Sequence, residues 1–480
     1  MEFTSFVYAL FLALAFALYW SVARWGARAQ NMVLLLVSAI FYAWADPRFL
    51  GLLLLSGAVN YALAIGIAGA RGERAKSILF FLGIAIDLGL LCWFKYFDFF
   101  YGSAVDLLNT IGFQGTHSTL ALALPLGISF YTFQMLGYLI DTRNEEIEPC
   151  EDPWHFVTYV LYFPKIMAGP IERAQVFLPQ IAVARTFDSA LATDGMRQIL
   201  WGLLAKVVVA DNASAFVDLI FKDPAAETGS TLLVGAFLYF IQIYFDFSGY
   251  SNIAIGSSKL LGIRLTTNFR TPFFATGVND FWKRWHISLT TWMIDHLFTP
   301  LSFLLRDRGR AGTVISFTTT FLAVGIWHGA NWTFVAFGTL QSLYFLPLAL
   351  SGPGKKTSAF PTGDRVPSPR HFARMLGTFL LMMLSFVLLR VTSIGDAVTY
   401  YLGLFDPSLF SKPTVFPSMV VLLALLLMLV EWFQRGMTHA LERIEAAMPG
   451  WIRWTIYMII LYTIILLNHT GHYRFIYFQF

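Results

Sequence analysis

The stretch Leu50–Ala70 reads LGLLLLSGAVNYALAIGIAGA and contains no charged side chain. A run of about 20 apolar residues has the length that an α-helix needs to cross the hydrocarbon core of a bilayer. Because several other apolar runs are shorter than this, we expect roughly 11 to 13 membrane helices, some of which enter the bilayer only part way. These other runs are Phe6–Val22, Met32–Trp44, Ile78–Phe94, Leu120–Ile140, Phe156–Met167, Ile199–Val209, Leu232–Phe245, Thr313–Trp327, Trp332–Leu350, Met375–Leu389, Met419–Trp432 and Trp454–Leu467.

The composition agrees with these runs. Hydrophobic residues make up 57% of the 480 residues and charged residues 13%, about half of the roughly 25% usual in soluble domains. The mean hydropathy is +0.63. So much apolar surface cannot be buried in one soluble core, which excludes a soluble enzyme, a disordered chain and a collagen-like chain. The sequence predicts an all-α polytopic integral membrane protein with a single domain over residues 1–480.

Lys and Arg in short loops predict the orientation of the chain. The first apolar run follows Glu2 rather than a basic segment, so we interpret it as a retained helix and not as a signal peptide. The loop Ser351–Arg374 is the candidate hinge within the domain. We expect the basic loops in the cytoplasm and both termini outside, on the opposite side of the membrane. The basic residues are Arg24, Arg28, Arg71, Arg74, Lys76, Lys355, Lys356, Arg365, Arg370, Arg374, Arg435, Arg443 and Arg453.

Several common kinds of site are absent from the sequence. It has no P-loop, no dinucleotide glycine fingerprint, no HExxH and no GxSxG. The nine histidines lack metal-ligand spacing, and His469 and His472 lie close together only near the C-terminus. Cys92 and Cys150 form no zinc pattern. The net charge of +4 is spread over loops and forms no basic stripe. We therefore predict no metal site and no nucleic-acid partner.

Polar residues within apolar surroundings are informative because a bilayer excludes them unless they are paired or line a cavity. They are densest between Asp246 and His328. The first group is Tyr244–Asn252 (YFDFSGYSN), directly after an apolar run. Gly249 suits a helix break that Asp246 would cap. Alternatively, Asp246 and Ser248 line a polar path, and the sequence leaves both interpretations open.

The second group is Asn279–Leu289 (NDFWKRWHISL), whose aromatic and basic residues are typical of an amphipathic helix at a membrane surface. Asn279 is a suitable N-cap. Lys283 and Arg284 would attract the phosphates of a nucleotide-like cofactor. By helical periodicity His286 shares a face with apolar residues three and four positions away, so we expect it to point into the bundle. A purely structural histidine is the alternative.

The third group is Val324–Trp332 (VGIWHGANW), in which His328 lies between two apolar runs next to Trp327. Gly325 and Gly329 permit close backbone approach and predict a helix break that leaves backbone groups free to line a cavity. Imidazole can take and return a proton near neutral pH. From these residues alone, a catalytic and a structural role for His328 are equally supported.

Two further features lie outside this region. Tyr162–Arg173 contains Pro164, Gly169 and Pro170, which should interrupt a membrane helix and form a re-entrant turn. Asp87 is a carboxylate in the middle of an apolar run, and the sequence does not indicate its partner.

Together these motifs resemble those of the membrane-bound O-acyltransferase family, and in particular its bacterial branch that acetylates exported polysaccharides. The resemblance covers most of the chain, because all the matching segments occur in family order. They are Phe41–Trp44 with Pro47, Phe94–Phe100, Leu124–Phe130, Phe163–Arg173, Tyr244–Asn252, Asn279–Leu289, Trp327–Ala330 and Phe475–Phe480.

The resemblance implies a ring of helices around a central tunnel, with the acyl donor entering from the cytoplasm and the acceptor from the other side. His328 matches the signature histidine of the family, and His286 matches its second polar site. The implied activity is transfer of an acyl group, acetyl in this branch, to hydroxyls of an exported or cell-surface polysaccharide. The implied donor is acetyl-CoA or another acyl thioester, used as a substrate and not held as a bound cofactor.

Acyl transfer from a thioester to an alcohol needs a base and donors that stabilise the oxyanion. On this hypothesis His328 is the base, and His286 orients the substrate or shares the proton. Asn331 or the N–H of Trp332 stabilises the oxyanion. Lys283 and Arg284 hold the phosphates of coenzyme A. The predicted binding residues also include Asp246, Ser248, Asn279 and Trp327.

The resemblance also implies partners and a location. Membrane proteins of this branch pass acetyl groups to a separate periplasmic esterase-like transferase of the SGNH type, which places this chain in a bacterial inner membrane. Two alternatives stay open: D-alanine transfer to teichoic acid on the same architecture, and a secondary transporter or polysaccharide flippase. Resemblance at Asp98–Phe100 and Phe475–Phe480 favours the acetylating branch, and the lack of an internal repeat disfavours a transporter.

Overall fold

A computed structural model describes residues 1–351 and 366–468, and in this part of the chain the regular structure is entirely helical. Short π-helical segments occur at Cys92–Tyr96, Leu204–Ala210 and Ile294–Phe298. The α-helices are α1 (Phe6–Ser21), α2 (Gly26–Ala43), α3 (Pro47–Gly69), α4 (Glu73–Leu91), α5 (Phe97–Thr110), α6 (Ile128–Arg143), α7 (Pro153–Leu161), α8 (Phe163–Ile166), α9 (Ala174–Ala182), α10 (Ser189–Leu203), α11 (Asp211–Phe221), α12 (Gly229–Leu260), α13 (Val278–Trp282), α14 (Ile287–Met293), α15 (Thr299–Leu304), α16 (Gly309–His328), α17 (Trp332–Ser351), α18 (Pro369–Phe386), α19 (Ile394–Gly403), α20 (Ser418–Phe433), α21 (Ile444–Ala447) and α22 (Gly450–Leu467).

Some predictions fall outside the described residues. These are the basic residues Lys355, Lys356 and Arg365 of the expected hinge, the pair His469 and His472, and the terminal segment Phe475–Phe480.

The helices confirm an all-α, multi-pass membrane protein. Within the described ranges, eight helical stretches are long and apolar enough to cross a membrane, and the apolar helices Phe6–Ser21 and Ser418–Phe433 are shorter. Burial differs strongly between spans: 83% of the most apolar window of Gly229–Leu260 is buried, against 11% for Gly450–Leu467. The first helix is therefore surrounded by protein, and the second leaves most of its surface exposed. The predicted ring and tunnel stay a prediction.

The chain forms two compact units, and the prediction of a single domain stays a prediction. The first unit comprises Met1–Thr193 and Ser257–Thr266. Helices α2, α3, α4, α6 and α7 make its main contacts. Asp87 of α4 finds its partner on α3, where the Asn60 amide donates to the carboxylate at 2.8 Å. Both side chains are buried, so a polar pair links two adjacent membrane helices.

One predicted span of the first unit is wrong in its N-terminal half. The apolar run Leu120–Ile140 becomes helical only at Ile128, after Pro125 and Gly127. Gly127 has φ +70°, and a Cβ there would lie 2.1 Å from the carbonyl oxygen of Ile166. The turn that Gly127 forms against α8 therefore decides where α6 begins. The predicted helix interruption in Tyr162–Arg173 is confirmed, because α8 ends at Ile166 and α9 begins only at Ala174.

The second unit comprises Asp194–Gly256 and Thr267–Phe480. Within it, α10 crosses α12 through two pairs of glycines. A Cβ on Gly249 would lie 2.8 Å from the carbonyl oxygen of Gly202, and one on Gly256 would lie 2.5 Å from that of Gly195. The two glycines of each helix are seven positions apart and so lie on one face. The predicted helix break at Gly249 is wrong, because α12 continues to Leu260 and uses this glycine for close packing.

Candidate active site

A buried lysine pairs with Asp246. Between α10 and α11 the chain forms the π-helical segment Leu204–Ala210, a form that is frequent at functional sites. Lys206 in this segment places its ammonium 2.5 Å from a carboxylate oxygen of Asp211 and 2.5 Å from one of Asp246. The side chains of Lys206 and Asp246 are 6% and 3% exposed. Asp246 therefore belongs to a buried charge cluster and does not cap a broken helix.

Ser248 has different surroundings from Asp246, since residues two apart on a helix do not face each other. It lines a small polar cavity of about 30 Å³ together with Tyr244, Asn252 and Glu431, among others. The Tyr244 hydroxyl donates to the Glu431 carboxylate, with oxygen distances of 2.9 and 3.0 Å. A cavity of this size holds about one water molecule. The structure thus separates the two residues that the sequence placed on one polar path.

The segment Asn279–Leu289 is two short helices and not one. α13 ends at Trp282 and α14 begins at Ile287. The N-cap of α13 is Gly277, so the prediction of Asn279 as an N-cap is wrong. His286 lies between the two helices with φ 44° and ψ 54°, a left-handed conformation that residues other than glycine rarely adopt. The predicted helical face of His286 is therefore also wrong, although the side chain is fully buried as expected.

Hydrogen bonds to residues 268–270 cause this division. The backbone N–H of Arg270 donates to the carbonyl of Arg284 at 3.0 Å, and that of Ile287 donates to the carbonyl of Asn268 at 2.9 Å. In addition, the Ser288 hydroxyl donates to Asn268 Oδ1 at 2.6 Å. The carbonyl of Arg284 and the N–H of Ile287 would take part in the helical hydrogen bonds if α13 continued. Both are instead bonded to residues 268–270, so the chain turns at His286.

Two aromatic rings enclose the His286 imidazole. The ring of Phe247 from α12 lies 4.6 Å away between centroids, and that of Trp327 from α16 lies 5.6 Å away. Burial lowers the pKa of His286 well below its ordinary value, and the nearby His328 lowers it further. The imidazole is therefore neutral near physiological pH, and it can donate one proton and accept another.

His328 lies at the predicted break between two membrane helices. It is the last residue of α16 and is 4% exposed, and α17 begins at Trp332. Its ring is 5.0 Å from that of Trp327 and 6.2 Å from that of Phe337 on α17. Trp327 thus contacts both histidines, and the structure brings His286, Trp327 and His328 together in one buried cluster.

Glycines allow α17 to approach this cluster closely. A Cβ on Gly325 would lie 2.3 Å from the carbonyl oxygen of Phe334, and one on Gly338 would lie 2.4 Å from that of Phe321. A Cβ on Gly329 would lie 2.2 Å from the ring of Phe334. The prediction that these glycines serve close approach is confirmed at Gly325 and Gly329.

The predicted phosphate-binding residues differ in their surroundings. The Arg284 guanidinium lies 2.8 Å from a carboxylate oxygen of Asp280. Lys283 is exposed, and among the described residues no carboxylate lies within 4 Å of its ammonium. Asn279, Trp282 and Lys283 line a cavity of about 310 Å³ whose other walls are mostly apolar residues of α14, α16 and α17. Lys283 is therefore better placed than Arg284 to receive an anionic group.

Asn331 and Trp332 occupy the start of α17. The Asn331 side chain accepts from the N–H of Thr333 at 3.0 Å and donates to the carbonyl of Thr392 at 2.9 Å. It therefore caps the helix, while the Trp332 side chain is 56% exposed. Their predicted role in stabilising an oxyanion stays a prediction.

The sequence interpretation missed three residues that shape the site. Lys206 could have been found, since it is a lysine within the apolar run Ile199–Val209. Phe247 could not be distinguished from the many other phenylalanines. The role of Asn268 could not be predicted from the sequence, because it depends on contacts with residues 287 and 288 in another segment.

Comparison with known proteins identifies the family. The model of the MBOAT, membrane-bound O-acyltransferase family, matches residues 89–391. This range includes His286, Trp327 and His328. The chain belongs to this family. It is therefore an O-acyltransferase.

Several relatives within the family are similar over long stretches. The probable alginate O-acetylase AlgI of Azotobacter vinelandii is 34% identical over 416 residues, which cover 85% of this chain and 78% of the relative. The peptidoglycan O-acetyltransferase of Helicobacter pylori is 33% identical over 339 residues, 65% of this chain and 62% of the relative. The teichoic acid D-alanyltransferase of Streptococcus thermophilus is 29% identical over 242 residues, 48% of this chain and 57% of the relative.

Proposed function

We propose that this chain transfers acetyl groups from a cytoplasmic thioester toward the hydroxyls of an exported or cell-surface polysaccharide. The observation that carries the proposal is the buried cluster of His286, Trp327 and His328 at a helix break within the family domain. The greater coverage by alginate O-acetylases favours acetyl over D-alanine as the acyl group. Membership of an acyltransferase family leaves the transporter alternative without support.

In the proposed reaction the acceptor oxygen attacks the thioester carbonyl carbon, and His328 removes the hydroxyl proton. The carbon–sulfur bond then breaks, and the thiolate leaves and takes up a proton. General-base catalysis by a positioned imidazole contributes about 10²–10⁴-fold to such rates. His286, held neutral by its buried surroundings, orients the acceptor or shares the proton. The Lys206–Asp246 pair fixes α12, which carries the Phe247 ring that packs on His286.

We propose acetyl-CoA as the donor substrate, with Lys283 receiving a phosphate at the edge of the neighbouring cavity. The exposed ammonium suits this role because charge-assisted hydrogen bonds to phosphate are strong. Arg284 is already paired with Asp280, so its contribution should be smaller. Asn279 lines the same cavity and would contact the donor arm.

The proposed location is a bacterial inner membrane with both termini periplasmic, in accord with the basic loops. A periplasmic SGNH-type transferase would receive the acetyl group and pass it to the polysaccharide. The relatives named for alginate and for peptidoglycan support a polysaccharide acceptor as a class.

The proposal is tested with inside-out membrane vesicles that contain the chain and receive acetyl-labelled coenzyme A, with the periplasmic partner and acceptor supplied. We expect label to reach protein, partner or polymer in the wild type and not in His328→Ala. His117→Ala is a matched control, since this histidine is about half exposed and lies against Asp106. Equal labelling in wild type and His328→Ala would exclude His328 as the base. No labelling in either would contradict the acetyl donor.

A further inference from the structure

His286 adopts a backbone conformation that its own sequence does not favour. Its φ of 44° lies in the left-handed region, where a side chain with a Cβ is strained. The surrounding sequence DFWKRWHISL has the pattern of one continuous amphipathic helix. Something outside this segment must therefore prevent the helix from continuing through residue 286.

The hydrogen bonds identify what prevents it. In a continuous helix the N–H of Ile287 would donate to Lys283, and that of Ser288 would donate to Arg284. Instead, Ile287 donates to the backbone carbonyl of Asn268 at 2.9 Å. Ser288 donates to Asn268 Oδ1 through its hydroxyl at 2.6 Å and through its N–H at 3.4 Å. One asparagine thus receives the hydrogen bonds of both residues that follow His286.

Asn268 is itself anchored on α12. Its amide Nδ2 donates to the Ser251 hydroxyl at 3.1 Å, and the Asn268 side chain is fully buried. Ser251 lies one helical turn after Phe247, whose ring packs on the His286 imidazole. One face of α12 therefore positions His286 in two ways. Phe247 contacts the imidazole directly, and Ser251 acts indirectly by anchoring Asn268.

We propose that Asn268 is a positioning residue of the transferase, which fixes the direction of the His286 imidazole by holding residues 287 and 288 away from the helical path. The proposal rests on the proposed function of His286. If Asn268 loses its side chain, residues 284–288 relax toward a helix and the imidazole rotates out of its place between Phe247 and Trp327. Misplacement of a catalytic group by about 1 Å can cost on the order of 10²-fold in rate.

The test is a double-mutant cycle between Asn268 and His286 in the full-length enzyme. His286→Asn is the chosen partner variant because asparagine tolerates the left-handed conformation. We expect Asn268→Ala to lower kcat by about 10- to 100-fold while KM for acetyl-CoA changes by less than about 3-fold. In the His286→Asn background the same change should lower kcat by less than about 2-fold, because residues that act as one unit are not additive.

The controls separate positioning from folding. Asn31→Ala removes a buried amide of the first unit that donates to the carbonyl of Ile181 and accepts from Arg185, and we expect it to leave kcat unchanged. Asn268→Asp keeps an acceptor for Ser288 and should retain more activity than Asn268→Ala. If Asn268→Ala does not fold, Ser288→Ala removes the 2.6 Å bond from the Ser288 hydroxyl while it keeps Asn268, and it should lower kcat in the same direction.

A second readout covers the case in which His286→Asn is too slow to measure. Asn268→Ala should move the acid limb of the kcat profile to higher pH, because a displaced imidazole is less buried and binds a proton more readily. An unchanged kcat or an unchanged acid limb in Asn268→Ala, or an equal loss in both backgrounds, would overturn the positioning role alone. Wild-type kcat in His286→Asn would overturn the proposed function of His286 and the positioning role with it.

Discussion

At the residue scale, the surroundings of His286 combine apolar burial with a strained backbone. Phe247 and Trp327 pack against its ring, so water cannot solvate a charged imidazolium there. The cost of charging this group in the folded state is what lowers its pKa. An imidazole that must stay neutral to orient the acceptor or share its proton benefits from such a site, and the same burial makes the fold sensitive to acid.

We therefore predict that the wild-type protein loses stability relative to His286→Gln as the pH falls below about 6.5, the ordinary pKa of histidine. The folded-state pKa is depressed, so below the ordinary value the unfolded chain binds the proton first and is favoured. The loss should approach about 1.4 kcal/mol per pH unit. Tm of both proteins measured between pH 8 and pH 5 tests this, with His117→Gln as an exposed-histidine control. A Tm difference that is independent of pH would contradict the prediction.

At the scale of elements, the crossing of α10 and α12 depends on the absence of side chains. A Cβ on Gly249 would lie 2.8 Å from the carbonyl oxygen of Gly202 and 3.0 Å from the backbone nitrogen of Lys206. Because both are backbone atoms, neither can move without displacing a helix. The same crossing holds the π-helical segment beside Asp246.

We predict that Gly249→Ala destabilises the protein by about 1–3 kcal/mol, the usual cost of overpacking, and lowers activity by shifting Lys206. Gly377→Ala on α18 is the control, since in the described part of the chain a Cβ there would meet no atom within 4 Å apart from its neighbours along the same helix. Thermal unfolding of the two purified variants in the same detergent provides the comparison. Equal Tm values for the two variants would show that the crossing tolerates a methyl group.

The charge cluster between the π-helical segment and α12 leads to a second prediction at this scale. Lys206→Met leaves Asp211 and Asp246 without their shared ammonium. Removing one partner of a buried ion pair typically costs ~3–5 kcal/mol. The double variant Lys206→Met with Asp246→Asn should recover part of this loss, because it also removes one uncompensated charge. Folded yield and Tm are the measurements, and a double variant less stable than Lys206→Met would contradict the pairing.

The predictability of these elements follows from where their determinants lie. The end of α16 at His328 was predicted because its glycines are local and adjacent to the histidine. The continuity of α12 through Gly249 was not predicted. A glycine can break a helix or allow it to pack closely against a second helix, and the sequence does not show whether that second helix is present. The division of Asn279–Leu289 was missed for the same reason, because Asn268 lies in a separate segment of the chain.

At the scale of the whole molecule, composition was sufficient to predict a polytopic α-helical membrane protein, because so many apolar side chains need lipid. It was not sufficient to locate the spans. The run Leu120–Ile140 is half irregular, and α12 extends well beyond its apolar run Leu232–Phe245. Buried polar pairs such as Asn60 with Asp87 allow membrane helices to contain polar residues. These residues lower the mean hydropathy of a window and so obscure the span.

The distribution of Lys and Arg makes the orientation of the chain testable independently of catalysis. If the basic loops are cytoplasmic, the loop between α3 and α4 lies inside and the loop between α19 and α20 lies outside. Both Cys92 and Cys150 are free thiols, so the experiment begins from a variant in which both are alanine. Gly72→Cys and Lys412→Cys then place single exposed thiols in the two loops.

We predict that a membrane-impermeant maleimide labels Lys412→Cys after the outer membrane has been permeabilised. Gly72→Cys should react only when the inner membrane is opened as well. The cysteine-free parent gives the background, and labelling after full solubilisation shows that both thiols are accessible in principle. The reverse pattern would contradict the proposed orientation, in which the basic loops are cytoplasmic.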